Sequence, residues 1–217
     1  MCGRFDIQLP AEMLGKIYQA DISNIEDFMP RFNVAPTQFA PVLFSDGERE
    51  FDFARFGMHP EWFKFRSRDL INLRKETLIE KPFFQSQLER NRCILPATGF
   101  YEWKQNGVRK TPFRFRPTSD ELFSLACIWE VDTYHGKKTP SFAIITGPPN
   151  GVMTPIHDRM PAILKDDDVS RWLDPDTSIQ DLLKMMSPYP DSGMECYRVS
   201  PRLNNPQNDD PSLVEPA

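Results

Sequence analysis

Cys2 has the most distinctive chemistry in this sequence, because it directly follows the initiator Met1. A small second residue usually allows that methionine to be removed, and removal leaves Cys2 with a free α-amine beside its thiol. An α-amine titrates near ~7.7–8.0 and a thiol near ~8.5, so both are nucleophilic around neutral pH. Such a 1,2-aminothiol can attack an acyl carbon, as in N-terminal-nucleophile hydrolases. It can also condense with an aldehyde to a Schiff base that the thiol closes into a thiazolidine. A cysteine that only happens to stand second is the third interpretation.

Four further segments carry polar residues that packing alone does not require. Asn33 has an amide that can hydrogen-bond a terminal amine, and Glu102 is a carboxylate between two aromatic residues. His157 adds an imidazole, and His and Glu are common proton-transfer groups in catalysis. Taken singly, a strand Glu or a lone His is more often structural, and we interpret the other two histidines in that way. The four segments are residues 31–37, 71–76, 98–103 and 155–161.

The charge of the chain is unevenly distributed. The formal net charge is −5, yet residues 53–116 carry 14 Lys/Arg against 6 Asp/Glu, and residues from 119 onward carry 8 against 16. A basic segment of this kind can follow a phosphate backbone while the rest of the protein stays acidic. An ordinary solvated basic surface is the simpler interpretation, and charge alone does not separate the two.

The cysteines and the hydropathy exclude several classes of protein. Cys2, Cys93, Cys127 and Cys196 are scattered without CxxC spacing, which argues against a zinc site and a disulfide framework. No apolar run approaches the ~18 residues of a membrane span, and no secretory signal is recognisable. We therefore expect a reduced, cytoplasmic protein that does not bind a membrane and needs no metal or organic cofactor.

The apolar pattern predicts one domain over residues 1–217, of the α+β class and richer in strand than in helix. The 21 Pro against 10 Gly favour short elements joined by constrained turns. Helices are predicted at 10–20 and 82–91, with a third capped by Asp167 and a fourth beginning at 176 or 177. Strands are predicted at 41–44, 50–58, 93–104, 112–116, 122–130, 141–146 and 197–200.

Three details of this prediction are specific enough to test. The apolar phase slips within 50–58, after a turn at 45–47, and this predicts a bulge. The alternation at 113–116 predicts two buried Phe, with Arg114 and Arg116 on the opposite face of the strand. Residues 204–217 are polar and contain Pro, and by themselves would pass for a frayed tail.

Five ordered motifs together resemble the SRAP (SOS response-associated peptidase) family. They are MCGR, RFNVAPT, INLRKET, ATGFYEW and IHDRMPAIL, beginning at residues 1, 31, 71, 97 and 156. The similarity extends almost from end to end, into the closing residues 210–216. It implies twisted antiparallel sheets that form a barrel-like core with a few peripheral helices.

The resemblance also implies a function, the covalent capture of abasic sites in single-stranded DNA during the response to DNA damage. In that comparison Cys2 is the crosslinking nucleophile, Asn33 orients its α-amine, and Glu102 and His157 are catalytic. Autopeptidase and abasic-site lyase activities are implied as accessory functions. Two alternatives stay open: an amidohydrolase or peptidase with an N-terminal nucleophile, and a nucleic-acid-binding module without covalent chemistry.

The same resemblance implies how DNA is held. Phosphate and lesion-pocket contacts fall on Arg4, Asn72, Arg74 and Arg159, and Pro36, Trp62 and Phe63 fall at positions where apolar side chains wedge against bases. The expected partner is single-stranded DNA that contains abasic sites, bound by a monomer. The family's DNA ligand fits the basic segment 53–116.

Overall fold

A computed structural model describes residues 2–59, 69–119 and 122–217, except for the side chains at 45 and 46. The described helices are α1 (Ala11–Tyr18), α2 (Lys75–Glu80), α3 (Pro82–Arg90), α4 (Asp166–Leu173) and α5 (Ile179–Met185). The described strands are β1 (Arg4–Ile7), β2 (Arg31–Val34), β3 (Phe39–Asp46), β4 (Glu48–Phe56), β5 (Asn72–Arg74), β6 (Arg92–Ala97), β7 (Gly99–Asn106), β8 (Arg109–Pro117), β9 (Phe123–Tyr134), β10 (Lys137–Gly147), β11 (Met160–Pro161), β12 (Ile163–Leu164) and β13 (Met194–Arg198). None of the described helices is long and apolar enough to cross a bilayer.

Five strands close into a barrel. Pairing runs from β10 to β4, β3, β6 and β9, and β9 pairs again with β10. Inside it, the rings of Phe56 and Phe142 stack with centroids 5.3 Å apart, and Phe5 meets Phe56 edge-on at 5.3 Å. The β-rich α+β class and the barrel-like core are therefore confirmed. One feature differs from the expected antiparallel sheets, because β10 runs parallel to β4 and to β5.

A second sheet, in the order β13-β8-β7-β1-β2, lies beside the barrel and holds the N-terminus. Its strand β1 pairs with β7 from Arg4 opposite Tyr101 to Asp6 opposite Gly99. The predicted single strand at 93–104 is wrong, because the chain turns at Thr98 and β6 and β7 join different sheets. The Thr98 hydroxyl donates to the Asp6 carboxylate at 2.6 Å, which fixes this corner against β1.

The residues after β13 form a small second core on the outer face of this sheet. Leu203 and Leu213 are fully buried against Tyr101 and Val199. The Asp209 carboxylate accepts hydrogen bonds from the backbone amides of residues 32 and 33, at 2.6 and 3.0 Å. We call residues 199–217 the terminal layer. The interpretation of 204–217 as a frayed tail is wrong, because the segment packs on the sheet.

The terminal layer also changes the prediction for 113–116. Phe115 is buried and Arg116 exposed as expected, but Phe113 is only partly buried. Arg114 is 4% exposed. Tyr197 explains this burial, since its hydroxyl accepts from Arg114 at 2.8 Å and donates to a terminal-layer carbonyl, that of residue 214, at 2.7 Å. The face of β8 that carries Arg114 is therefore also covered by protein, because the terminal layer packs on that side.

The bulge predicted within 50–58 is absent from the described ladder, since β3 and β4 pair without a register shift. Ala54, Arg55 and Phe56 are buried one after another, because Phe56 packs on Phe142 inside the barrel while Arg55, on the opposite face, is covered by Tyr134 and Asp69. The apolar phase therefore slips where a strand becomes covered on both faces. A register shift does occur in β1, where it was not predicted.

The helix predictions are confirmed in position but not at every boundary. Asp167 is not the cap of α4, because it lies inside the first turn, after Lys165 at the N-cap. The negative charge of Asp167 still interacts favourably with the positive, N-terminal end of the helix dipole. Helix α5 begins at Ile179, and the Ser178 hydroxyl caps it by accepting from the amide of Asp181 at 3.2 Å. Helix α2 was not predicted.

The basic segment 53–116 does not form one continuous solvent-facing stripe. Arg55 and Arg114 are buried and pair with Asp69 and Asp6, at 2.5 and 2.8 Å. Arg92 is also buried, and its guanidinium donates to four backbone carbonyls in and beside α3 and α4. These three charges stabilise the fold, since buried cations require such partners.

Candidate active site

Cys2 lies just before β1 and belongs to the main core, with no exposed surface. Its carbonyl accepts a hydrogen bond from the side-chain amide of Asn72 at 2.9 Å, so β5 fixes the chain on one side. Burial raises the pKa of the Cys2 thiol well above its ordinary value, and the nearby Glu102 carboxylate raises it further. The thiol is therefore protonated around neutral pH, and its reaction requires a group that accepts the proton.

Glu102 is the acidic group placed to do this. It lies on β7 one residue beyond Tyr101, which pairs with Arg4, so its strand continues past the start of β1. Glu102 is 4% exposed, and its position one residue beyond the Arg4–Tyr101 pair brings it to the end of β1 next to Cys2. The order of β1 and β7 in the sheet thus brings the N-terminal cysteine to a buried carboxylate.

Glu102 and His157 line one open cleft of about 710 Å³. His157 belongs to the turn before β11, and the pairing of β11 with β10 holds that turn against the barrel. The structure therefore brings together the two predicted proton-transfer residues, although they are 55 positions apart in the sequence. The other residues lining the cleft are Trp103, Gln105, Lys110, Ile156, Asp158 and Asn204.

The imidazole of His157 has two contacts at the same nitrogen. Nδ1 lies 3.0 Å from the backbone nitrogen of Arg159 and 3.0 Å from a carboxylate oxygen of Asp158. One nitrogen cannot accept from an amide and donate to a carboxylate at once, so the contacts belong to different protonation states. Neutral His157 accepts at Nδ1 and keeps its proton on Nε2, whereas the imidazolium donates from Nδ1 to Asp158. Each protonation state of His157 therefore has a partner at Nδ1.

Asn33 and Arg4 connect the start of the chain to the terminal layer. The Asn33 side-chain oxygen accepts from the Arg4 guanidinium at 2.8 Å, and Arg4 also donates to the carbonyl of Leu203 at 2.8 Å. The Asn33 amide nitrogen donates to the carbonyls of residues 203, 205 and 208, at 3.3, 3.2 and 2.8 Å. These bonds make Asn33 a buried link between β2 and the terminal layer. Its predicted action on the Cys2 amine stays a prediction.

The predicted DNA-binding residues differ in how accessible they are. Arg74 is exposed at the end of β5. Arg159 instead forms a bidentate pair with the Glu76 carboxylate, two bonds of 2.8 Å, and that guanidinium holds the pKa of Glu76 below its usual range. Pro36 is partly buried in the turn after β2. Trp62 and Phe63 lie outside the described residues.

Sequence reasoning missed several residues of this site. Glu76, Asp158 and Lys110 contact or adjoin the predicted residues, but each is an unremarkable charged position when its motif is taken alone. Asn204 lines the cleft and accepts a hydrogen bond from the Trp103 indole at 2.7 Å. The extension of the family similarity into the last residues was the one signal that pointed to the terminal layer. Within the described ranges, no three His, Cys, Asp or Glu side chains are grouped as a metal site requires.

Comparison with known proteins agrees with this arrangement. The model of the family "SOS response associated peptidase (SRAP)" matches residues 1–206. The chain belongs to the SRAP family. The family resemblance predicted from the five motifs is therefore confirmed, and its members supply relatives over the whole chain.

Relatives and solved structures cover nearly all of the sequence. The abasic site processing protein YoqW of Bacillus subtilis is 38% identical over 222 residues, 99% of each chain. The abasic site processing protein HMCES of Rattus norvegicus is 29% identical over 271 aligned positions, which cover all of this chain and 76% of that protein. A crystal structure of a Bacteroides thetaiotaomicron protein superimposes over the full length of both chains with a TM-score of 0.88, at 26% identity. A Bordetella bronchiseptica structure, with a TM-score of 0.78 at 21% identity, shares the fold.

Proposed function

We propose that this protein captures abasic sites in single-stranded DNA by forming a covalent thiazolidine with Cys2 after Met1 is removed. The observation that carries the proposal is the register of β1 with β7, which brings buried Cys2 next to Glu102, a residue that shares an open cleft with His157. SRAP relatives over the full length of the chain are named abasic site processing proteins. A protein with four free cysteines suits a reduced cytoplasm, where it acts as a monomer.

The first step opens the sugar. An abasic site exists as a closed hemiacetal in equilibrium with a ring-opened aldehyde, and opening moves a proton from the anomeric hydroxyl to the ring oxygen. Glu102 and His157 line the same cleft and can relay that proton. The two contacts of His157 Nδ1, one with an amide and one with Asp158, suit an imidazole that alternates between neutral and cationic forms.

The second step joins protein and DNA. The Cys2 α-amine attacks the aldehyde carbon, and loss of one water gives a Schiff base. The thiol sulfur then bonds to the imine carbon, its proton passes to Glu102, and Glu102 delivers that proton to the imine nitrogen, which becomes the ring amine. The carboxylate can make this transfer because the pairing of β1 with β7 brings Glu102 next to Cys2. A simple imine hydrolyses readily, whereas the five-membered ring resists water.

Recognition in this proposal depends on the missing base and on phosphate contacts. A nucleotide without a base has nothing to unstack, so it enters the cleft at lower cost than an intact one. Arg74 and Arg159 bind flanking phosphates, Arg159 by exchanging its partner Glu76 for a phosphate with the same bidentate geometry. Such contacts do not read base edges, so sequence preference is weak. The Schiff base also acidifies the neighbouring C2′ proton, which gives β-elimination as a side reaction.

The hydrolytic alternative uses the same nucleophile. An N-terminal cysteine with a nearby carboxylate and imidazole can form and hydrolyse an acyl-enzyme, and the name of the family includes a peptidase. A thiolate nucleophile, however, is disfavoured by the burial that raises the pKa of Cys2. We therefore propose peptidase activity as an accessory function, including the removal of Met1.

The proposal is tested by incubating the protein with a single-stranded oligonucleotide that carries one abasic site and separating the products on a denaturing gel. We expect a shifted band with the wild type and none with Cys2→Ala. The Cys2→Ala protein still has an α-amine, so borohydride should trap its Schiff base. Glu102→Gln should slow adduct formation at least 10-fold. General acid–base catalysis contributes ~10²–10⁴-fold, and His157, which is still present in this variant, retains part of that contribution.

Two controls make this experiment decisive. Cys196→Ala, which changes a partly buried cysteine on β13, should crosslink like the wild type. A peptide extension that blocks the amine of Cys2 should abolish both the stable adduct and the borohydride-trapped one. Amide hydrolysis without any shifted DNA band would instead establish the hydrolytic alternative.

A further inference from the structure

The hairpin of β7 and β8 extends beyond the sheet as a two-stranded arm, residues 104–111. Pairing of β7 with β1 ends at Tyr101, and pairing of β8 with β13 ends at Phe113. Beyond these points, β7 and β8 pair with each other up to Asn106 opposite Arg109, and the described residues provide no further strand on either side. At about 3.3 Å per residue, the three-residue strand segments of the arm, 104–106 and 109–111, reach about 10 Å.

The arm carries positive charge that the fold does not use. It contains Lys104, Arg109 and Lys110 and no acidic residue. Residues 105–110 are all exposed, and Val108 at the tip is 99% exposed. The buried arginines of the basic segment pair inside the protein, as described above, so they are not available to a ligand. Within the described part of residues 53–116, the arm therefore presents exposed positive charge beside the cleft, in addition to that of Arg74.

The base of the arm forms part of the reaction cleft. Gln105 lies opposite Lys110, and both line the cleft with Glu102 and His157. Arg109 lies opposite Asn106, on the other face of the arm. A DNA strand that leaves the cleft thus meets Lys110 first, on the cleft-lining face, and meets Arg109 next where it crosses the tip of the arm to the other face. This continuity separates the arm from an ordinary solvated basic surface.

We propose that the arm binds the phosphodiester backbone of the DNA strand where it leaves the cleft, through Lys110 and Arg109. This inference rests on the proposed function and names a contact surface for the same substrate. Phosphate contacts of this kind supply affinity without base readout, and each one released in single-stranded DNA changes the slope of log K against log salt by about 0.7. The arm therefore increases the rate at which a long strand is captured and leaves the chemistry of the lesion unchanged.

The test compares two abasic substrates, a 15-mer with a central lesion and a trinucleotide with the lesion in the middle. In Arg109→Glu/Lys110→Glu we expect the second-order crosslinking rate on the 15-mer to fall about 10-fold at low salt, and its salt slope to decrease by about 1.4 for two lost contacts. The single variant Arg109→Glu, which changes no residue that lines the cleft, should lower the rate on the 15-mer and leave the rate on the trinucleotide unchanged, because the trinucleotide is too short to follow the arm. An equal loss on both substrates in this variant, or no loss on the 15-mer in either variant, overturns the proposal.

A matched control has the same change in charge at a distance from the cleft. Lys16→Glu/Arg90→Glu alters two exposed cations on α1 and α3 and should leave both rates unchanged. If the control loses as much rate as the arm variant, long-range charge explains the effect and the arm is not a contact. The neutral variant Arg109→Gln/Lys110→Gln should show a smaller loss in the same direction, at an unchanged melting temperature.

Noncovalent binding separates this inference from the proposed function. Fluorescence anisotropy with an undamaged 15-mer measures the arm without the Cys2 reaction. Cys2→Ala should bind this strand like the wild type, whereas Arg109→Glu/Lys110→Glu should bind it about 10-fold more weakly. If the arm variant crosslinks more slowly but binds the undamaged strand like the wild type, the role of the arm is contradicted. If the arm variant binds this strand more weakly but the wild type forms no crosslink, only the covalent mechanism is contradicted.

Discussion

The barrel interior and the terminal layer are stabilised in different ways. The barrel is filled by apolar side chains such as Phe56 and Phe142, which bury surface without a directional partner. The terminal layer has a small apolar cluster, and much of its attachment comes from polar side chains that bond to backbone groups. Asn33 reaches three carbonyls, and Asp209 accepts from two amides. The barrel therefore contributes most of the free energy of folding, and the terminal layer holds the residues near the N-terminus in position.

The candidate active site lies where these two regions meet. Cys2 belongs to the barrel core, whereas Arg4, two residues later, is bonded to Asn33 and to the terminal layer. A change in the barrel should therefore reduce the amount of folded protein. A change in the terminal layer should alter the reaction at smaller cost in stability. The predictions below test this division.

The largest effect on stability is expected from Phe142→Ala. Phe142 is fully buried against Phe5 and Phe56, and truncation of such a residue costs about 3–5 kcal/mol. Urea unfolding measures the loss, and the crosslinking rate per folded molecule should be unchanged. The control Phe39→Ala removes a ring that is 40% exposed, and its cost should be much smaller. Equal costs would contradict a stability contribution concentrated in the barrel.

A smaller loss of stability with a larger loss of reaction is expected from Asn33→Ala. Removal of the amide leaves Arg4 and three carbonyls without this partner, at a cost of about 1–3 kcal/mol. Amide hydrogen exchange should accelerate in residues 199–217 and not in β9, and the crosslinking rate should fall. Asn91→Ala is the control, because its side chain bonds to Gln87 at the end of α3, away from the cleft. Uniform acceleration of exchange would show that the two regions are not separate.

The smallest effect is a change in alkaline sensitivity. The pKa of the Cys2 thiol is raised in the folded protein, so the unfolded chain loses this proton first, above about pH 9. The free energy of unfolding therefore falls as pH rises above that value, by about 1.4 kcal/mol per pH unit for one proton. Cys2→Ala should make this decline shallower by that amount, measured by urea unfolding between pH 8.5 and 10.5. An unchanged slope would mean that the thiol is not desolvated.

The sequence predicts the barrel better than the terminal layer for a physical reason. Strands such as β9 and β10 have runs of apolar residues at their buried centres, and these runs predict the strands. Their polar ends at the connecting hairpin carry no such signal, so both strands extend beyond the predicted ranges. The terminal layer depends on hydrogen bonds between distant residues, such as Asn33 with residue 208. Neither periodicity nor composition registers such a bond, and Asn, Pro and Asp in that segment are equally typical of a loop.

The motifs name the members of the candidate site but not their partners. Cys2, Glu102 and His157 come from the motifs, and the structure brings Glu102 next to Cys2 and into one cleft with His157. The pairing of Arg159 with Glu76 does not follow, because it joins the start of α2 to the turn before β11. The arginines of the basic segment show the same limit, since charge in a sequence does not reveal which side chains become buried.

The hydrogen bonds of Arg4 and Asn33 have a consequence for the newly made protein. Residues 203–208 leave the ribosome about two hundred positions after Cys2, and until then these two side chains lack their final partners. The reactive end of the polypeptide is thus completed by its latest-made part. A nascent chain therefore carries the aminothiol without a finished pocket around it until synthesis has passed that point.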